Sequence, residues 1–256
     1  VAAHPDLFPA LFATRGDAGW DVLFALPQEV TRIDSAAALA AHPAMQLKPA
    51  ASQAHALPFS GGWLAFFAYE FGHELEPSVA RREPGSPLAW LARIPAAVLV
   101  NRAKSEAWLV AESRLFYDLL RCNLGDAVAP PELPAPRHIV EDPPAAYLAG
   151  IARIQDYIRA GDVFQVNYSR AWRAQYAAAV DSGALFARLL ARNPAPFSAL
   201  LNLDGKIGGQ AVVSSSPERL FRIEQGRVLT RPIAGTHPRL DDPADDAAQK
   251  QRLIAH

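Results

Sequence analysis

Short apolar runs separated by polar or proline-containing turns follow one another through the first half of the chain. Runs of this length, rich in β-branched and aromatic residues, are typical of β-strands. On this pattern, strands are predicted at 21–25, 63–69, 97–102 and 107–112. Two helices are expected between and after them: Ser35 caps a short helix that ends before Pro43, and residues 114–124 form the second.

A helix with one apolar face is predicted in the second half of the chain. Tyr147, Ile151, Ile154 and Ile158 recur at intervals of four, three and four residues, and Gly161 follows where a helix should stop. We expect this face to pack against the core.

Alternation replaces the helical spacing directly afterwards. Phe164, Val166 and Tyr168 alternate with polar neighbours, which predicts a strand over 164–169 with one apolar and one polar face. The polar face is either solvated, as in many half-buried antiparallel strands, or it lines a pocket. The pattern leaves both open.

Hairpins dominate the next part of the sequence. A helix at 182–193 is followed by predicted strands at 197–203 and through Val212, and the Asp204-Gly205 pair between them is a strong hairpin signal. Strands therefore outnumber helices and are joined mainly by hairpins. This predicts an α+β fold in which helices flank antiparallel sheet.

Prolines are concentrated between the two halves. Six of the 22 prolines lie between Gly125 and Tyr147, together with several acidic residues. This composition suits an extended connector over 126–146 that joins an N-terminal half, 1–125, to a second part, 147–256. The alternative is that the segment lies packed across one continuous core.

Composition and charge exclude some classes of protein. Half of the 256 residues are apolar, enough for a sizeable core, and a formal net charge of −1 argues against a nucleic-acid binder. Cys122 is the only cysteine, so a reducing compartment is expected, and its helical spacing with Leu115 and Leu119 predicts that it is packed. No apolar run approaches the ~18 residues of a membrane span and no signal peptide is recognisable, so a cytoplasmic location is expected.

The most informative segment is 214–239, which reads SSSPERLFRIEQGRVLTRPIAGTHPR. Glu218 places a carboxylate after a proline, Gly226 lies in the turn between two short predicted strands, and Gly235 can bring its backbone N–H close to an anion. Taken alone, Glu218 would be a solvated hairpin residue and Gly235-Thr236 an ordinary turn.

The order of these residues closely resembles the signature of the chorismate-utilising enzymes, a family that includes aminodeoxychorismate synthase component I and anthranilate synthase component I. Three upstream segments extend the resemblance: GGWLAFFAYEFG at 61–72, the segment containing QVN at 147–172, and NPAPFSALL at 193–201. The resemblance implies two antiparallel β-sheets packed together with flanking helices, as in anthranilate synthase component I. It also implies that this chain lacks the C-terminal part of that fold.

Roles for individual residues follow from the resemblance. Glu218 would be the general acid that protonates the departing ring hydroxyl, which requires burial or substrate charge to keep its carboxyl group protonated. The N–H groups of Gly235 and Thr236, with the Thr236 hydroxyl, would hold a substrate carboxylate. Mg²⁺ is implied as a cofactor, but its glutamate ligands belong to the family's C-terminal region, so no metal ligand is expected here. The HELE sequence at 73–76 lacks the second histidine of a zinc helix and is expected on a surface loop.

Two aminations compete within the family. QVN at 165–167 and APFSA at 195–199 favour aminodeoxychorismate synthase, which makes 4-amino-4-deoxychorismate for para-aminobenzoate and folate synthesis. Ala234 favours anthranilate synthase, because it stands where aminodeoxychorismate synthases typically carry a lysine nucleophile, and without lysine ammonia is expected to attack C2 directly. We favour aminodeoxychorismate synthase, because two segments support it and a single position opposes it. Anthranilate synthase, and a noncatalytic module that binds tryptophan or a partner subunit, remain the alternatives.

The resemblance has two further implications. Thr14, Trp20, Pro196, Phe197 and Ser198 match residues that line a tryptophan pocket, although Phe197 can equally be a core residue. A glutamine amidotransferase subunit, which supplies ammonia in the family, is implied as a partner.

Overall fold

The computed structural model describes residues 1–14, 19–46, 57–76, 78, 88–125, 129–205, 209–224, 226–231, 240 and 242–254. Its strands are β1 (Ala10–Ala13), β2 (Trp20–Ala25), β3 (Glu29–Ile33), β4 (Gly62–Phe67), β5 (Ala89–Ile94), β6 (Ala96–Asn101), β7 (Glu106–Ala111), β8 (His138–Glu141), β9 (Trp172–Gln175), β10 (Phe197–Asn202), β11 (Ala211–Ser216), β12 (Arg222–Glu224) and β13 (Arg227–Leu229). Its helices are α1 (Ala36–Ala41), α2 (Gly72–Leu75), α3 (Arg114–Asn123), α4 (Pro144–Ala160), α5 (Ser182–Arg192) and α6 (Pro243–Ile254), with 3₁₀ turns at Pro43–Gln46 and Tyr69–Phe71.

A six-stranded antiparallel sheet forms the main layer, in the spatial order β11-β10-β1-β2-β6-β7. Phe12 of β1 lies opposite Val22 of β2 on one side and opposite Ala199 of β10 on the other. β10 and β11 follow the proline-rich segment in sequence, whereas the other four strands precede it. Strands from both sides of 126–146 therefore share one sheet, as in the continuous core that the sequence allowed.

A three-stranded sheet, in the order β3-β5-β4, packs against the main sheet. The chain passes from β5 in one sheet to β6 in the other through the buried Pro95, which lacks the N–H that would continue the ladder. The buried side chains between the sheets are Ala10, Val22, Phe24, Leu64, Trp90, Ala92, Ile94, Ala97, Leu99 and Leu201.

Helices cover the outer faces of both sheets. On the main sheet, Leu120 of α3 packs with Ala25, and Phe186 of α5 packs with Leu200. On the smaller sheet, Leu39 of α1 packs against buried side chains of β3 and β5. The arrangement confirms the predicted α+β fold of two packed antiparallel sheets with flanking helices.

Most of the strong sequence signals correspond to observed elements. The strands predicted at 21–25, 63–69, 97–102 and 107–112 are β2, β4, β6 and β7. Ser35 caps α1, with its hydroxyl oxygen accepting the N–H of Ala38 at 3.1 Å. Gly161 ends α4 with φ of 82°, a left-handed conformation that costs glycine little.

The strand predicted at 164–169 is absent. These residues have no regular secondary structure, and the next strand, β9, begins at Trp172 and pairs with β8. Alternation produces a strand only where a partner strand is available, and no strand of the described residues pairs with 164–169. Phe164, expected on the apolar face, is 99% exposed.

One expectation about the middle of the chain is corrected. The described part of 126–146 includes β8 and the first residues of α4. The apolar stripe of α4 is not core: Tyr147, Ile151 and Ile154 are half-buried, and Ile158 is 43% exposed. Among the described residues, Tyr168 stacks on Tyr147 at the start of the stripe, so the stripe is partly covered and is not part of the core.

Cys122 is exposed and not packed as expected. Helix α3 turns Phe116 and Leu120, four residues apart, toward the main sheet. Leu115, Leu119 and Cys122 share the neighbouring face, about 100° away around the helix axis, and that face is solvated. The helical spacing was right, but it did not tell which of two apolar faces meets the sheet.

Candidate functional site

Glu218 lies just beyond the edge strand β11, where the chain leaves the main sheet. Pro217 has no N–H with which to continue the ladder. The Ser216 hydroxyl donates to the Glu218 carbonyl oxygen (2.9 Å), and its oxygen accepts the Glu218 N–H (3.3 Å). The Glu218 side chain is exposed. The Glu218 carboxylate therefore faces solvent, and no described residue buries it.

A short hairpin follows Glu218. Strands β12 and β13 pair over only three positions, and Gly226 turns between them with φ of 75°. Every described side chain of both strands is exposed, so burial of apolar surface contributes little to the stability of the hairpin. Gly235 and Thr236, the predicted anion-binding residues, lie outside the described residues, as does Ala234.

Arg219 connects this turn to the strand beside it. Its guanidinium carbon lies 4.9 Å from the centroid of the Phe197 ring, a cation–π arrangement. Phe197 is the first residue of β10 and lies directly opposite Ser216, the last residue of β11. The contact therefore spans the end of the β10–β11 pair, next to Glu218.

The residues of the predicted tryptophan pocket lie at one end of the main sheet. Thr14 follows β1, and its hydroxyl donates to the carbonyl oxygen of Trp20 at the start of β2 (2.8 Å). Pro196, Phe197 and Ser198 lie at the start of β10, which pairs with the end of β1. The five residues thus lie close together at the same end of the adjacent strands β10, β1 and β2. Their role in binding tryptophan stays a prediction.

A buried carboxylate beside these residues was missed by sequence reasoning. Asp21 is 7% exposed, accepts the N–H of Thr14 (2.9 Å) and forms a salt bridge with Arg102. An aspartate inside the apolar run WDVLFA was the available signal, because a carboxylate buried in a strand needs partners. Together the three residues fix the end of β1 to β2 and to the chain beyond β6.

A cluster of aromatic rings surrounds Arg170 in the segment that joins α4 to β9. Tyr147 and Tyr168 stack with their centroids 4.9 Å apart and their planes 7° from parallel. The Arg170 guanidinium lies 4.4 Å from the Trp172 ring centroid and forms a salt bridge with Glu141. The cluster ties α4 to β8 and β9 without a strand at 164–169.

Asp142, which directly follows β8, has a carboxylate that accepts two hydrogen bonds. Asp142 accepts the backbone N–H of Ala171 (2.8 Å) and donation from the Arg173 guanidinium (3.1 Å). These two hydrogen bonds favour the ionised form and hold the pKa of Asp142 below its ordinary value.

Neither a metal centre nor a membrane span occurs in the part of the chain that the structure describes. No group of three or more His, Cys, Asp or Glu side chains there could hold a metal ion, so these residues do not fit a Mg²⁺ site. The HELE sequence is not a loop but includes α2, and Glu74 accepts the N–H of Ala36 (3.2 Å) at the start of α1. No described helix is both long and apolar enough to cross a bilayer.

Comparison with known proteins connects this site to a family. The model of the family described as chorismate binding enzyme matches residues 8–256. Aminodeoxychorismate synthase component 1 of Salmonella typhimurium is 34% identical over 202 residues, which cover 77% of this chain and 43% of that protein. Anthranilate synthase component 1 of Thermus thermophilus is also 34% identical, over 209 residues that cover 77% of this chain and 44% of that protein. The chain thus spans less than half the length of these relatives.

The fold is that of a solved structure in the same family. The crystal structure of anthranilate synthase component I from Streptococcus pneumoniae TIGR4 superposes with a TM-score of 0.67 at 18% identity, over 95% of this chain and 58% of that chain. At this identity the likeness supports the fold alone. The sequence relatives, divided between two synthases, leave the choice of reaction open.

Proposed function

Because the chain belongs to the chorismate binding enzyme family, we propose that it forms the chorismate-converting part of an aminodeoxychorismate synthase component I. In this reaction ammonia replaces the C4 hydroxyl of chorismate, giving 4-amino-4-deoxychorismate and water. The observation that carries the proposal is the family match over residues 8–256, which includes the Glu218 turn and the segments with QVN and APFSA. The Salmonella relative supports the choice of synthase.

The position of Glu218 supports its proposed role as the general acid. It stands at the end of the edge strand β11, with an exposed carboxyl group that a substrate can reach. A ring hydroxyl is a poor leaving group, so protonation by Glu218 as the C–O bond breaks would let it depart as water.

Gly235 and Thr236 complete the proposed substrate site. Their backbone N–H groups and the Thr236 hydroxyl are donors suited to a carboxylate. Ammonia would come from a partner subunit, for which we propose a glutamine amidotransferase. The name component 1 of the relatives supports the existence of a second component in those proteins.

Anthranilate synthase is the second candidate, and Ala234 is the residue that favours it. Alanine at this position offers no amine that could form a covalent adduct with the ring, so ammonia itself would add at C2. The Thermus thermophilus relative supports this alternative at the same identity as the Salmonella one. The residues that match a tryptophan pocket fit either synthase.

Product analysis separates these functions. The purified full chain, with its intact mass verified, is incubated with chorismate, an ammonium salt and Mg²⁺, and the products are identified by liquid chromatography and mass spectrometry. Formation of 4-amino-4-deoxychorismate supports the proposal. Anthranilate or its 2-amino precursor contradicts it and supports the second candidate. No turnover, together with tryptophan binding in calorimetry, would instead support a noncatalytic tryptophan-binding module.

A further inference from the structure

The turn that carries Glu218 is held by very few contacts. The chain leaves β11 after Ser216, and the hairpin that follows is exposed: Leu220 is 82% exposed and Phe221 is 54% exposed. Burial therefore contributes little to the position of residues 217–221. In the described structure these residues are held by the pair of hydrogen bonds between Ser216 and Glu218, by the Thr230 hydroxyl donating to the Leu220 carbonyl oxygen at 3.3 Å, and by the contact of Arg219 with Phe197. The Arg219 contact links the residue next to Glu218 to the main sheet.

The Arg219–Phe197 contact is directional. Phe197 is half-buried and belongs to a strand that is paired on both sides, so its ring is a fixed platform. No carboxylate of the described residues forms a salt bridge with Arg219, and among these residues its guanidinium contacts the Phe197 ring. Glu218 directly precedes Arg219, so a contact that holds Arg219 in place also limits the backbone conformations open to Glu218. Anchoring Arg219 on the Phe197 platform thus restricts the side to which Glu218 projects.

The geometry points to Arg219 as a positioning residue for Glu218: its guanidinium clamps the Ser216–Glu218 turn onto the Phe197 ring and so sets the direction of the Glu218 carboxyl group. The importance of that direction for catalysis rests on the proposed function. The clamp itself is a property of the turn and can be measured without turnover.

Amide hydrogen exchange of the full chain tests the clamp directly. In Arg219→Gln and in Phe197→Leu, loss of an exposed cation–π contact is expected to speed exchange of the Glu218 amide by about two- to fivefold. Arg219→Lys retains a cation and should restore most of the protection. Arg222→Gln is the matched control, because Arg222 lies three residues further on and forms a salt bridge with the exposed Glu224. Wild-type exchange in Arg219→Gln would overturn the inference.

Kinetics with chorismate, ammonium and Mg²⁺ then separate positioning from substrate binding. A positioning role predicts that Arg219→Gln lowers kcat while KM for chorismate changes little, with partial recovery in Arg219→Lys. A raised KM with unchanged kcat would contradict positioning and identify Arg219 as a binding residue. If the wild type converts no chorismate, the proposed function fails, whereas the exchange measurement still decides whether the clamp exists.

Discussion

Arg93 on β5 grips both carboxylate oxygens of Glu112, at 2.5 and 2.6 Å, and its other terminal nitrogen donates to the carbonyl oxygens of Gly62 and Ile94, each at 3.0 Å. Glu112 directly follows β7, the edge strand of the main sheet, whereas β5 is the central strand of the smaller sheet. The pair therefore joins the two sheets at their rim, through one guanidinium nitrogen that both carboxylate oxygens share.

Glu112→Gln should destabilise the protein by about 1 kcal/mol, because it removes the charge of this pair while keeping one acceptor oxygen. Both side chains are about one third exposed, so solvent screening limits the loss. Urea unfolding measures the change. Asp118→Asn is the control, since the Arg114–Asp118 pair is an exposed pair within one helix and should cost less than half as much. Equal losses in the two variants would contradict a special role for the rim pair.

Gly61→Ala should destabilise the protein by about 1–3 kcal/mol. Gly61 has φ of 118°, which an L side chain rarely adopts, and an added Cβ would lie 2.1 Å from a Glu112 carboxylate oxygen. The same denaturation assay applies. Gly72→Ala is the matched control, because no atom lies within 4 Å of an added Cβ and the backbone is helical there. Since the Gly61 variant displaces Glu112, its loss and that of Glu112→Gln should be less than additive in the double variant.

The sequence predicted elements well where a single local signal decides the structure, and poorly where partners decide it. Ser35 caps the start of α1 and Gly161 caps the end of α4 as expected, because capping depends on residues within one turn. Residues 164–169 showed an equally clear alternation, but a strand needs a neighbour that local pattern cannot supply. The same reason explains Cys122, whose burial depends on which face of α3 meets the sheet.

In the candidate site, too, local sequence identified single residues but not the contacts that depend on strand pairing. Glu218 was singled out from its neighbours in the sequence, and the structure places it, exposed, just beyond the end of β11. Asp21 and Arg102 were not recognised, because they are distant in sequence and meet only when β2 pairs with β6. The Arg219–Phe197 contact is equally long-range, since it depends on the register that sets Phe197 opposite Ser216.

Asp142 should make stability depend on pH at the acid end. Hydrogen bonds from the Ala171 N–H and from Arg173 lower its pKa in the folded state, so its contribution is complete above the unfolded pKa of about 4 and is lost as the pH falls below it. Asp142→Asn should therefore lower Tm by a constant amount between pH 7 and 5, with the difference shrinking below about pH 4. Asp156→Asn, in an exposed helical pair, should hardly change Tm at neutral pH. A difference from wild type that persists unchanged to pH 2.5 would exclude the linkage.

Glu218→Gln should lower turnover of chorismate by about 100-fold or more if Glu218 is the general acid, because glutamine keeps the shape but cannot donate the proton. Initial rates with saturating chorismate, ammonium and Mg²⁺ measure the effect. Glu224→Gln on β12 is the matched control, since Glu224 is exposed on the same hairpin and its carboxylate accepts from Arg222 at 2.6 Å. Near-normal turnover in Glu218→Gln would show that Glu218 is not the general acid.

Ala234→Lys should open a covalent route that the wild-type chain lacks. A lysine amine at this position can attack C2 of the ring as the C4 hydroxyl leaves as water, and ammonia can then add at C4 and displace the lysine. Rapid quenching without ammonia, followed by intact-mass measurement, should reveal protein heavier by chorismate less one water in Ala234→Lys. Ala234→Gln, which adds length without a nucleophile, should show no adduct. With ammonia present, Ala234→Lys should raise the proportion of the C4 product. An unchanged product ratio and no adduct would mean that residue 234 does not face the ring, and the assignment of this position by resemblance would then be wrong.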